Sequence, residues 1–157
     1  MAVLQQPLLT PFLWFDGRAA EAAECYTRIF PDSQIVERMP DPSGGPPMAL
    51  TIELSGQRLT LFNGGPGPAH SAAFSLFVRC ANQSEIDHYW YALLEGGVAQ
   101  RCGWLRDRFG VHWQVIPERL GELLSGADPA RAQRVVQTML AMIKLDISPL
   151  EEAYECA

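Results

Sequence analysis

Cys102-Gly103-Trp104 places a thiol in a short turn-like stretch, with Arg101 and Arg106 close by in sequence. Neighbouring cations favour the thiolate, the nucleophilic form of cysteine. Nucleophilic use would also require a base, and His112 is the obvious partner. The other reading is a buried cysteine in a tight strand turn; the sequence leaves both open. Two residues past His112 comes Gln114, and strand alternation puts the two on one face, with Val111, Trp113 and Val115 on the other. His70 falls in a linker and His88 on a predicted helix, where solvent-facing roles are expected. The glycine cluster Asn63-Gly64-Gly65-Pro66-Gly67-Pro68 could cradle an anion only if a helix N-terminus followed it. A strand is predicted next, so the cluster reads as a flexible crossing.

The rest of the composition narrows the classes of function. At 157 residues the chain has the length of one domain and can bury a substantial core. Twelve basic residues against eighteen acidic ones give a net charge of −6, which disfavours nucleic-acid partners. The apolar runs are far shorter than the roughly 20 residues of a membrane span, and no basic residue precedes the apolar positions at the N-terminus as a signal peptide requires. Cys25, Cys80, Cys102 and Cys156 form no C-x-x-C pair and lack histidines at zinc-finger spacing, so reduced thiols and a cytoplasmic location are expected. Small buried roles suit Cys25 and Cys80.

The elements that would position these groups come in a repeated order. Phe12 to Phe15 reads as a strand, and Arg18 to Phe30 as a helix through the spacing of Ala19, Ala22, Ala23, Tyr26, Ile29 and Phe30. Residues 34–39, 48–54 and 58–63 follow as strands, the last two joined by a Ser55-Gly56-Gln57 hairpin. The order then recurs: a strand at 73–80, a helix at 84–95 closed by Gly96-Gly97, and short strands at 98–101, 103–107 and 111–116. Asp107 and Arg108 fall in a predicted hairpin turn, solvated or paired structurally. In the tail, Asp128-Pro129 caps a helix whose stripe of Val135, Val136, Met139, Leu140 and Ile143 suits packing or dimer formation. Ser148-Pro149-Leu150-Glu151 reads as the capping box of a last helix.

The stretches TPFLWFDGRAAEAAECYTRIFPDS, FNGGP and CGWLRDRFGVHWQVIP resemble a bacterial family of the vicinal oxygen chelate superfamily, which also holds glyoxalase I, bleomycin-resistance proteins and extradiol dioxygenases. This branch is known as PhnB-like, or as the 3-demethylubiquinone-9 3-methyltransferase domain. The resemblance runs from about Leu9 to the C-terminal helices. It implies an α+β fold of two βαβββ modules curling around a cavity, usually in a homodimer, with barrels closed within one chain or between two. A single domain over 1–157 is expected, with modules at about 8–63 and 73–116 and helices at about 117–155.

Metal-using members of the superfamily place one ligand on the first and one on the last strand of each module. Carried onto this sequence, that pattern falls on Thr10 and Thr60, then on Ser75 and Gln114. Three hydroxyls and an amide are poor ligands for zinc and its neighbours, which take imidazole, thiolate or carboxylate. The same groups suit a neutral polar molecule. The resemblance thus implies a cavity kept without metal or cofactor, holding a small, partly apolar ligand; a metal-dependent lyase, isomerase or dioxygenase is the alternative, and whether any reaction is catalysed stays open. The ligand-binding candidates are Thr10, Thr60, Asn63, Ser75, Cys102, Trp104, His112 and Gln114. For Asn63, reaching a ligand at the cavity mouth and easing the turn into Gly64 are equal readings. The methyltransferase activity of the family's name is not expected, because the glycine cluster leads into a strand and the modules are small for that cofactor.

Overall fold

Alternation and helical spacing sort the chain into eight strands and five helices in the computed structural model, which describes residues 7–156. The chain divides between Ala69 and His70 into two compact units. In the first, β1 (Phe12–Phe15), α1 (Ala19–Ile29), β2 (Gln34–Met39), β3 (Ala49–Leu54) and β4 (Gln57–Asn63) build a sheet of order β1-β4-β3-β2. Its outer pair β1–β4 is parallel and the others antiparallel. Leu50, Ile52, Leu59 and Leu61 point to one face of the sheet, where the small Ala19, Ala22 and Ala23 of α1 let the helix come close. Tyr26 fills the remaining depth and is fully buried.

The second unit repeats the plan with β5 (Leu76–Cys80), α2 (Gln83–Leu94), β6 (Val98–Ala99), β7 (Trp104–Arg106) and β8 (His112–Pro117), in the order β5-β8-β7-β6. Here too the first and last strands pair in parallel. Asn82 caps α2 by accepting from the Glu85 N–H at 2.9 Å, while the Glu85 carboxylate takes the Ala81 N–H at 2.7 Å. Ile86, Trp90 and Leu93 of the helix are buried, as are Val78, Leu105, Trp113 and Val115 of the strands.

Three helices complete this unit: α3 (Glu118–Leu124), α4 (Pro129–Leu140) and α5 (Ile147–Glu155). Leu120, Leu123, Val135, Leu145 and Leu150 form their common core with Ile116 of β8. Asp128 caps α4 with Pro129 in the first turn, as the sequence implies. The capping box expected at Ser148 is displaced: Asp146 is the cap and accepts from the Ser148 N–H at 3.3 Å, so α5 begins earlier. Of the apolar stripe on α4 and beyond, Val135 is buried, while Leu140 and Ile143 stay about half exposed. No helix among the described residues is long and apolar enough to cross a membrane.

Residues 142–147 fasten this helical tail to the module. The Cys102 and Gly103 N–H groups donate to the Met142 and Ile143 carbonyls at 2.9 and 2.8 Å. On the other side the Gln83 amide donates to the Leu145 carbonyl at 3.1 Å and accepts from the Ile147 N–H at 3.0 Å. Lys144 pairs with Asp87, which holds the Asp87 carboxyl below its ordinary range with help from Gln83.

Candidate functional site

Strand register decides which polar groups share a surface. In the first unit Phe12 lies opposite Thr60, with Thr10 two residues earlier, ahead of the strand. In the second, Phe77 lies opposite Gln114, with Ser75 two residues earlier. The two pairs thus occupy equivalent positions of the duplicated plan, each on the sheet face away from its module's helix. Thr60 meets Thr51 across the sheet, hydroxyl to hydroxyl, at 3.3 Å, and Thr10 is half-buried ahead of β1. Gln114 donates from Nε2 to the Ser75 hydroxyl at 2.9 Å. That bond leaves the amide one carbonyl acceptor and one N–H for another partner.

A cleft of about 290 Å³ opens over this part of the second unit. One side is the sheet: Gln114 is flanked by its cross-strand neighbours Phe77 and Trp104, with Arg79 and Ile116 in the next row. The opposite side comes from the tail, through Leu120, Gly121 and Leu124 of α3 and Met139 of α4. Cys102 lines the cleft from the β6–β7 turn, where its φ of 60° is in the left-handed region. The two carbonyls of the tail that its turn bonds account for that conformation. Arg79, whose guanidinium lies 5.3 Å from the Phe77 ring centroid, and Glu118 bring one charge of each sign to the lining. The walls are otherwise mostly apolar, the usual make-up of a small-molecule site.

His112 is not among the groups lining the cleft. It sits opposite Arg106, 7 % exposed, and its Nδ1 has no hydrogen-bond partner among the described residues. Burial lowers its pKa below 6.5, and the positive charges of Arg106 and His70 lower it further, against an opposing pull from Asp107. Above pH 6.5 the imidazole is neutral in both folded and unfolded chains. On acidification the unfolded chain binds the proton first, so stability is lost as the pH falls below 6.5, until the folded imidazole protonates as well. Urea unfolding is therefore expected to show a midpoint that drops between pH 7 and pH 5 more steeply in the native protein than in His112→Asn; equal slopes would refute the assignment.

Two other candidates have structural work. The Asn63 carbonyl oxygen accepts from the Ala19 N–H, and its amide donates to the Pro47 carbonyl, both at 2.9 Å, so the side chain ties the start of α1 to the end of β4. The glycine cluster behind it is packed. The Trp14 indole donates to the Gly65 carbonyl at 2.8 Å; its ring lies where a Cβ at Gly64 would stand and crowds one at Gly67, 3.2 Å away. The glycines serve a tryptophan, which corrects the reading of a flexible crossing.

Asp107, read as a turn residue, is buried at 4 % exposure and anchors the β7–β8 hairpin. One carboxylate oxygen accepts the Phe109 and Val111 N–H groups at 2.8 and 3.0 Å, and the other accepts the Trp113 indole N–H at 2.8 Å. Nothing in the sequence distinguishes this aspartate from a solvated one, except the tryptophan on the strand that follows. None of the four cysteines is in a disulfide. Burial, with the charges of Glu85 and Glu118, pushes the Cys80 thiol up to about 12, as befits a small core residue; Cys25 is only half-buried.

The donor set does not fit a divalent metal. Thr10, Thr60, Ser75 and Gln114 offer hydroxyls and an amide, and among the described residues no three histidine, cysteine, aspartate or glutamate side chains converge.

Two βαβββ modules, each closing its first strand against its last in parallel and carrying polar groups on the open face, define an α+β protein built on a duplicated plan. The model of the family described as 3-demethylubiquinone-9 3-methyltransferase matches residues 7–116, and the chain belongs to that family. The PhnB protein of Bacillus cereus, which carries the same methyltransferase name, is 30% identical over 71% of this chain and 99% of its own, with a TM-score of 0.65. A protein from Pseudomonas aeruginosa shares the fold at 23% identity, covering 72% of this chain and 98% of that one, with a TM-score of 0.59. No curated protein matches the chain. The family's name does not carry its activity here: the multi-glycine turn packs against Trp14 rather than opening a helix, and each sheet holds a single parallel pair.

Proposed function

We propose that the protein binds a small, neutral, partly apolar molecule in the cleft of the second unit, acting as a binding module rather than a methyltransferase. The observation that carries this reading is the Gln114–Ser75 hydrogen bond set between Phe77 and Trp104 in a cleft of apolar walls. With one bond already made, Gln114 keeps an acceptor and a donor for a hydroxyl, amide or ketone head, and the aromatic neighbours take the apolar body. Neutrality follows from the lining, where Arg79 and Glu118 offset each other, and from the chain's net charge of −6, which repels anions. Thr10 and Thr60 stand at the equivalent positions of the first unit and offer hydroxyls of the same kind there. A homodimer, a single functional domain and a cytoplasmic location belong to this proposal, the last supported by four cysteines outside any disulfide.

A metalloenzyme is the second reading, and the hydroxyl and amide donors argue against it. Saturation-transfer NMR with 4-propylphenol, a neutral ring with one hydroxyl head, tests the binding reading. Gln114→Ala is expected to weaken binding about tenfold, and Ser75→Ala somewhat less, as loss of one or two hydrogen bonds implies. Both variants should melt within a few degrees of the native protein. Unchanged affinity in both would remove the site.

A further inference from the structure

Gly121 lies in the middle of α3, where glycine is the least favourable residue after proline. No neighbour requires the glycine, since a Cβ built there would meet nothing within 4 Å. It is exposed, and it lines the cleft together with Leu120, Leu124 and Met139. These four residues all follow residue 116, where the match to the family ends. The sheet side of the cleft is therefore part of the shared family fold, while the facing wall belongs to the helical tail, fastened over it through residues 142–147.

We infer that the tail supplies the wall that selects the ligand, and that Gly121 is its size-determining position, kept small so that the cleft accepts a neutral compound with one ring or a short branched chain. The volume of about 290 Å³ is at the lower end of the range of roughly 300–1,000 Å³ typical of ligand sites, so one added side chain removes a large share of it. This inference rests on the binding function proposed above and adds to it the group that sets the upper size.

The test titrates 4-propylphenol into the native protein, Gly121→Ala, Gly121→Phe and Gln114→Ala, following binding by NMR and folding by thermal melting. Gly121→Ala is expected to melt a few degrees higher, since it improves the helix without touching a neighbour, and to lose affinity only slightly. Gly121→Phe should remain folded and bind at least tenfold more weakly, while phenol, lacking the propyl chain, loses less. Should Gly121→Phe not fold, Gly121→Leu in its place puts a smaller apolar group into the same space, with the same order of losses expected. Native-like affinity in a folded Gly121→Phe or Gly121→Leu, with binding lost in Gln114→Ala, would overturn the role of Gly121 and leave the binding function standing. No binding by the native protein would overturn both.

Discussion

Replacing Asp107 with alanine is expected to destabilise the protein by about 3–5 kcal/mol, the range reached when a buried hydrogen-bonding hub is removed. Three donors lose their acceptor at once: the Phe109 and Val111 N–H groups at the β7–β8 turn and the Trp113 indole N–H in the core. The Val111 and Trp113 groups would be left facing protein rather than water, because both residues are buried along with the carboxylate. Asp107→Asn separates the contributions. Its Oδ1 still serves the two backbone groups, but its amide NH2 confronts the indole N–H, donor against donor. About half of the alanine penalty is expected, and Trp113 fluorescence should report the disturbed pocket in both variants. Stability within about 1 kcal/mol of the native protein in Asp107→Ala would show that the hairpin does not depend on this carboxylate.

Gly64→Ala is the second large effect. A Cβ at this position would stand 2.1 Å from the Trp14 ring, with further ring atoms at 2.2 and 2.5 Å. The indole cannot simply swing aside, since its N–H is bonded to the Gly65 carbonyl and its ring also packs edge-on against Phe62, centroids 5.1 Å apart. Overpacking of this kind costs typically 1–3 kcal/mol, and the lost indole hydrogen bond brings the expected total to the upper end of that range. The double variant Gly64→Ala with Trp14→Leu should be much less damaged than the sum of its parts, because the smaller side chain clears the space. Strict additivity in that cycle would mean that the glycine answers to something other than the tryptophan.

How far the sequence foretold these features depends on whether the cause was local. The spans of β1 and β2 and the Asp128-Pro129 start of α4 coincide with expectation, because alternation, caps and breakers act between near neighbours. The Ser148 capping box failed because Asp146, two residues earlier, offered a competing cap whose carboxylate reaches the Ser148 N–H. A separate α3 was not anticipated: seven residues are too few for a clear period, and what holds them is the core shared with Val135, Leu145 and Leu150. Ser75 and Gln114 are candidate positions through the family resemblance, but the hydrogen bond between them depends on side-chain packing that the sequence does not reveal. The burial of Asp107, the use of Gly64 by Trp14 and the tail side of the cleft all depend on contacts distant in sequence or on packing, which composition and periodicity do not reveal.

We propose that the polar groups of the second unit hold a neutral organic molecule rather than a metal. Native mass spectrometry, on protein purified without chelators or metal-affinity resin and incubated with 4-propylphenol, tests it most directly. The expected spectrum shows the phenol bound at one per chain in the native protein, clearly reduced in Gln114→Ala, with no stoichiometric divalent ion in either. A divalent ion retained at one per chain, together with phenol binding indifferent to Gln114, would contradict it.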